Sequence, residues 1–178
     1  EMAPLHYICE NGNEKIFNLF VDYEKRHPNV IDWNIKNKNG MTPLHFAARG
    51  KQAKIVDELI NNEIICPHVD INAIATGEFE NGRTPLSFAC EKGELEIVNL
   101  LLNDKNDDDK DDPFSQFLSK PSTAAESKKN VKRGSLCGAK SQCDLSIKSK
   151  AAHQKGMTAL HYACKSSNIE VVKLILNH

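Results

Sequence analysis

The sequence predicts an all-α solenoid of helix-turn-helix repeats, interrupted by one long insertion that is predicted to be largely disordered. Three observations carry this prediction. Four segments align without gaps: APLHYICENGNEKIFNLFV from Ala3, TPLHFAARGKQAKIVDELI from Thr42, TPLSFACEKGELEIVNLLL from Thr84 and TALHYACKSSNIEVVKLIL from Thr158. Each copy holds two short apolar faces at helical spacing, neither of which can bury itself alone, so stacked copies are what makes a core. From Asn103 to about Gln142 the helical period disappears.

Composition sets the bounds. The 178 residues are 40% hydrophobic and 26% charged, ordinary for a globular or repeat-like chain. A formal net charge of -1 gives no overall basic field to attract nucleic acid or an anionic membrane surface. No run approaches the roughly 18 apolar residues of a membrane span, and the start shows no charged n-region followed by an apolar stretch. A chain this size builds its own core without disulfides, so its six cysteines are expected to be reduced thiols in a cytosolic setting. The nucleus, or a host cytosol for a secreted effector, are the alternative locations.

Taken in order, residues 1–27 form the first repeat, where Gly12 is placed to end the first helix by taking positive φ. The second repeat, 28–66, shows the logic best. Thr42 suits an N-cap, because its hydroxyl can accept from an early helical N–H, and Pro43 suits the first helical position, where a missing N–H costs nothing. Leu44, Ala47 and Ala48 then fall on one face, with small residues that allow close helix approach. Gly50 comes one residue early, and Ile55, Val56, Leu59 and Ile60 give the second helix its buried side. The third repeat, 67–103, repeats the plan with Gly93, Ile97, Val98, Leu101 and Leu102, but has Ser87 where the other copies have histidine. The fourth, 143–178, has Ala159 in place of proline and Ser167 in place of glycine.

The run T-P-L-H-x-A, a glycine, then I-V-x-x-L-L closely resembles the ankyrin repeat. VIDWNIK, HVDINAI and CDLSIKS each resemble the segment that leads into that family's next β-turn finger, so the resemblance implies an ankyrin-repeat solenoid of helix-turn-helix repeats with β-turn fingers. Repeats of the family recur at about 33 residues, whereas the threonine position here (3, 42, 84, 158) recurs at 39, 42 and 74. The excess falls in loops and finger turns, where a solenoid tolerates insertion. Against the family pattern Ile8 replaces a small residue. Neither terminus shows a polar capping face, so the segment is expected to belong to a longer protein.

Residues 104–142 read as an acidic run (DKNDDDKDDP), a polar low-complexity run (SKPSTAAESKK) and a basic run with two cysteines (KKNVKRGSLCGAKSQC). So few aliphatic side chains cannot offset the entropy lost on ordering. Phe114, Phe117 and Leu118 are the exception, expected to collapse transiently, with a short turn docked on the solenoid or on a partner as the alternative. KRGSL resembles a basophilic kinase site, which makes Ser135 the candidate phosphorylation site.

Chemistry is sparse. There is no P-loop, G-x-G-x-x-G, H-E-x-x-H or G-x-S-x-G, and the expectation is a non-enzyme with no catalytic residues, no metal and no cofactor. Cys66, His68, Cys137 and Cys143 lack the close C-x2-C spacing of structural zinc sites. Cys9, Cys90 and Cys164 stand where Ala48 stands in the second copy and are expected in the core, as is Trp33. Tyr7, Phe46, Phe88 and Tyr162 form an aromatic series expected to pack between consecutive inner helices. The resemblance implies that His6, His45 and His161 tie adjacent fingers and helices together.

The resemblance also implies a protein-binding module whose concave face combines finger tips with exposed inner-helix positions. Carried over residue by residue, the candidates are Lys38, Asn39, Met41 and Arg49 in the second repeat, and Glu80, Asn81, Arg83, Glu91 and Lys92 in the third. Gln154, Lys155, Met157, Lys165 and Ser166 complete the row in the fourth. The expected partner of this monomeric segment is another protein, with no small-molecule substrate, nucleic acid or membrane. Two alternatives stand beside it: a regulatory or targeting segment of a larger enzyme, channel or secreted bacterial effector, and a charged insertion acting as a phosphorylation-switched linear motif.

Overall fold

The computed structural model describes residues 2–102 and 143–178. The insertion predicted at 104–142, with Ser135, Phe114, Phe117 and Leu118, lies outside the described residues. Eight α-helices are present among those described: α1 (Pro4–Asn11), α2 (Glu14–Arg26), α3 (Pro43–Arg49), α4 (Ala53–Asn61), α5 (Pro85–Lys92), α6 (Leu95–Leu102), α7 (Ala159–Ser166) and α8 (Ile169–Asn177). They form two layers. Inner helices α1, α3, α5 and α7 stack on one another in order, and outer helices α2, α4, α6 and α8 do the same behind them.

The inner helices start as the sequence predicts, with a twist in the chemistry. Thr84 follows the expected rule, its hydroxyl accepting from the Ser87 N–H at 3.3 Å. Thr42 does not: its hydroxyl meets His45 Nδ1 at 2.9 Å, and the same ring nitrogen accepts the Thr42 N–H at 3.1 Å. An accepting Nδ1 leaves the proton on Nε2, which donates to the Arg83 carbonyl at 3.3 Å. His6 repeats this arrangement, with Nδ1 accepting from the Ala3 N–H at 2.9 Å and Nε2 reaching the Ile35 and Met41 carbonyls at 3.0 and 3.1 Å. Each histidine therefore caps its own helix with one nitrogen and holds the next finger with the other. His161 caps α7 through Nδ1, and its ring is exposed.

Helix ends follow residue type only in part. Gly12 and Gly93 take φ of 72° and 68° as expected. Gly50 stays right-handed at φ -79°, and Lys51 takes the positive value, 62°. What requires glycine at 50 is space, since a Cβ there would lie 2.2 Å from the Glu10 carbonyl oxygen of the previous repeat. Ser167 accepts φ 60° in the place of Gly93.

The core is a continuous seam. Ile55, Val56, Leu59, Ile97, Val98 and Leu101 are all buried between the layers, each contributing about 1.5–3 kcal/mol relative to an exposed side chain. Trp33 is buried edge-on against Phe17 at 5.7 Å between ring centroids. Two expectations fail at the ends of the stack. Tyr7 is 52% exposed and Cys164 is exposed, although Phe46, Phe88, Tyr162, Cys9 and Cys90 are buried at the equivalent positions. Those positions are covered by the neighbouring repeat, and no described residues lie beyond the first and fourth.

A second ladder fixes the register of the repeats. In each D-x-N-like segment the aspartate accepts the N–H two residues on: Asp32 from Asn34 at 2.9 Å, Asp70 from Asn72 at 3.0 Å and Asp144 from Ser146 at 2.8 Å. The asparagine then accepts the aspartate N–H of the following repeat, Asn34 from Asp70 at 2.8 Å and Asn72 from Asp144 at 2.9 Å. The second of these bonds spans the insertion, so the fourth repeat docks in the same register as the third. Glu24, which carries no motif, is buried and accepts the N–H groups of Asn29 and Ile31 at 2.5 and 3.0 Å, shaping the turn after α2.

Candidate functional site

The fingers that precede α3, α5 and α7 are bonded to one another through the backbone. The Asn39 carbonyl accepts the N–H groups of Thr76 and Gly77 at 2.7 and 2.9 Å, and the Asn81 carbonyl accepts those of Lys150 and Ala151 at 2.7 and 3.0 Å. Within the third finger Ala75 N–H donates to Arg83 O at 2.9 Å and Gly82 N–H to Ala75 O at 2.8 Å. Gly82, at φ 83°, allows the fourth finger to approach, because a Cβ there would meet the Lys150 nitrogen at 2.6 Å. Three fingers thus form one braced row beside the inner helices.

The candidate residues separate into three groups. Lys38, Lys92, Lys155 and Lys165 are exposed; Asn39, Glu80, Asn81, Gln154, Met157 and Ser166 are half-buried on the same side. Gln154 accepts the Tyr162 hydroxyl at 2.7 Å, and Ser166 donates to the Ala163 carbonyl at 2.8 Å. Met41 and Arg83 differ: at 1% and 5% exposure they face inward, which removes both as surface anchors. The residue before the threonine position closes the base of each finger onto the stack, and apolar Met2, Met41 and Met157 in three of the four copies is the signal that could have revealed it.

Paired charges form the third group. Glu10, Arg49, Glu91 and Lys165 occupy one repeat position with alternating sign. Arg49 donates to Glu10 at 2.7 Å and lies 4.5 Å from the Phe46 ring centroid; Lys165 donates to Glu91 at 2.8 Å. Arg83 also reaches Glu91, at 2.5 Å, while its guanidinium lies 3.8 Å from the Phe88 centroid and 4.6 Å from that of Tyr162. Burial raises the Glu91 pKa, but hydrogen bonds from Lys165 and Arg83 and their charges outweigh it and hold the carboxyl below its usual range. Arg49, Glu91 and Lys165 are therefore engaged with neighbouring side chains.

Burial keeps one histidine and three thiols neutral. Burial lowers the His45 pKa to about 4, aided by the Arg83 and Lys36 charges and opposed by its bonds to backbone carbonyls. Burial likewise pushes the thiols of Cys9, Cys90 and Cys143 up to about 12, leaving them in the unreactive protonated form. Among the described residues no group of three or more His, Cys, Asp or Glu could hold a metal ion. Among the same residues no helix is long and apolar enough to cross a membrane.

Comparison with known proteins agrees with this architecture. The family model described as ankyrin repeats (3 copies) matches residues 5–112, and a single ankyrin repeat model matches 155–178. The chain belongs to the ankyrin-repeat family. Ankyrin repeats are in general protein–protein interaction modules rather than catalysts, and they imply protein partners. Delta-latroinsectotoxin-Lt1a of Latrodectus tredecimguttatus is 37% identical over 73 residues, which is 41% of this chain and 5% of that protein's length.

Proposed function

We propose that this ankyrin stack is a preformed docking platform for another protein, which it contacts through the exposed finger tips and inner-helix positions on its concave side. The observation that carries this reading is the backbone bonding of the three fingers through the Asn39 and Asn81 carbonyls. Loops braced in this way lose little conformational freedom on binding, which leaves more of the contact energy as affinity. The contact residues are the exposed and half-exposed candidates, Lys38, Asn39, Glu80, Asn81, Lys92, Gln154, Lys155 and Met157. Arg49, Glu91 and Lys165 set the electrostatics of the surface behind them.

Site-specific photocrosslinking tests the face directly. A benzophenone side chain in place of Lys38, Lys92 or Lys155 is expected to crosslink a defined protein in a cell extract. The same group in place of Lys25 or Asp57 on the outer helices is not. Equal or stronger crosslinking from the outer helices would move the interface to the other side. A second reading, that the stack is a recognition segment of a longer polypeptide, is favoured by the small share of the toxin that the matching stretch represents. The mass of the endogenous protein tests that reading.

A further inference from the structure

The finger row carries a charge pattern hidden by the net charge. Lys36 and Lys38 on the second finger, Lys148, Lys150 and Lys155 on the fourth, and Lys92 at the end of α5 are all exposed, and none has an ion-pair partner among the described residues. Most lysines elsewhere are treated differently: Lys51 pairs with Glu94 at 2.6 Å and Lys54 with Glu14 at 3.2 Å across repeats, although Lys15 on α2 likewise has no ion-pair partner among the described residues. Between the two basic fingers stands the third, whose tip places Phe79 between Glu78 and Glu80. Phe79 is 71% exposed, the highest value among the exposed large hydrophobic side chains described. This exposure is not that of a loose loop. Glu80 N–H closes the tip on Gly77 O at 3.1 Å, Arg83 N–H follows on Glu80 O at 3.0 Å, and fingers two and four grip the hairpin from either side.

A rigid aromatic held out in water between two basic fingers, whose lysines have no ion-pair partner among the described residues, has the form of a binding hot spot with an electrostatic rim. The geometry points to an acidic protein segment as the partner, laid across the second to fourth fingers with its carboxylates over the lysines and an apolar side chain seated on Phe79. The inference rests on the docking face proposed above and adds the chemistry of what docks there. Nucleic acid fits less well, because every nucleotide carries a phosphate charge, and a strand laid across the row would bring phosphates against Glu78 and Glu80. A polypeptide can leave that stretch uncharged.

The test is panning of a phage-displayed library of random 16-residue peptides on the whole chain, followed by fluorescence anisotropy with the enriched peptides made synthetically. Enriched sequences are expected to place Asp or Glu on both sides of an aromatic or aliphatic residue. Their affinity is expected to fall at least tenfold with Phe79→Ala and at least tenfold with Lys38→Glu/Lys155→Glu, with melting curves unchanged. Added salt should weaken binding to the parent chain more than to the lysine variant. Enrichment of basic peptides that still require Phe79, or of none at all, overturns the acidic assignment while leaving the docking face in place. Peptides indifferent to both finger variants overturn the face itself. Tighter binding of a thymidine 20-mer than of any peptide overturns the assignment in favour of nucleic acid.

Discussion

Between the second and third repeats a neutral histidine makes the joint; between the third and fourth an arginine does, from the opposite side. His45 caps α3 with one nitrogen and donates to the Arg83 carbonyl with the other, and its ring stands edge-on to Phe88 at 5.9 Å. Ser87 still makes the first of these bonds, its hydroxyl accepting the Thr84 N–H at 3.0 Å, but it is too short for the second and donates to its own Thr84 carbonyl at 2.7 Å. The space facing Tyr162 is taken instead by Arg83, which stacks between Phe88 and Tyr162 and is anchored by Glu91. The difference teaches that a repeat interface conserves a filled, hydrogen-bonded contact with the next aromatic ring rather than a particular residue. Arginine before the threonine and serine after it look like two halves of one exchange.

Breaking the arginine joint should have the largest effect. Arg83→Ala empties the space between two rings and leaves Glu91 with Lys165 alone, and is expected to cost about 3–4 kcal/mol in urea unfolding. Hydrogen exchange should show the loss first in α7 and α8. Arg83→Met, the residue type at the same place in the second finger, should cost about 1–2 kcal/mol. If the two substitutions are one exchange, Ser87→His should be better tolerated with Arg83→Met than alone, with a coupling of about 1 kcal/mol or more. Strict additivity would show that they are unrelated.

The histidine joint should break more mildly. His45→Ala leaves the Thr42 N–H and the Arg83 carbonyl without their ring partners, at an expected cost of about 2–3 kcal/mol by the same measurement. Acid separates the two joints without mutation. Because the folded state holds His45 near 4, below the ordinary histidine value of 6.5, the unfolded chain binds the extra proton between those values. Stability is then full above about 6.5 and falls as pH drops towards about 4, by at most about 3 kcal/mol for this group. Glu91 has a lowered pKa, so its contribution is present above its unfolded value and is lost only as pH falls through the lower folded one. Equilibrium unfolding at pH 7 and pH 5 should show a slope that His45→Gln reduces; an unchanged slope would mean that other groups dominate acid sensitivity.

The same comparison shows what the sequence made legible. Helices, caps and the register of the stack follow from short-range patterns that each repeat carries in full, so Thr84, Pro43, Gly12 and Leu59 could be placed from the residues alone. The candidate face was only partly legible, because burial there depends on what the neighbouring repeat supplies. Met41 and Arg83 look like variable finger residues until the finger base is seen to close on the helices. Tyr7 and Cys164 repeat the core pattern yet are exposed, since the covering neighbour is a property of the stack and not of the repeat. Phe79 went unnoticed because an aromatic in a loop of varying length has no counterpart in the other copies to mark it.

The smallest expected effect bears on whether a joint also constrains the helix that ends beside it. Gly93 and Ser167 sit at the same repeat position with φ of 68° and 60°. Among the described residues Gly93 is followed by another repeat and Ser167 is not; Asn168 of that repeat donates to the Gly93 carbonyl at 2.8 Å. A left-handed conformation costs a residue with a side chain about 1–2 kcal/mol, and glycine returns about 0.4–1 kcal/mol of that through its freer unfolded chain. Ser167→Gly should therefore stabilise by about 0.5 kcal/mol. Gly93→Ser carries the same backbone term in reverse and adds a Cβ 3.3 Å from that of Asn168, so it should cost more than its counterpart gains. Melting temperatures of the two single variants decide the matter. Equal and opposite shifts would mean that the backbone alone sets the effect, whereas a larger loss at Gly93 would show the third-to-fourth joint pressing on the end of α5.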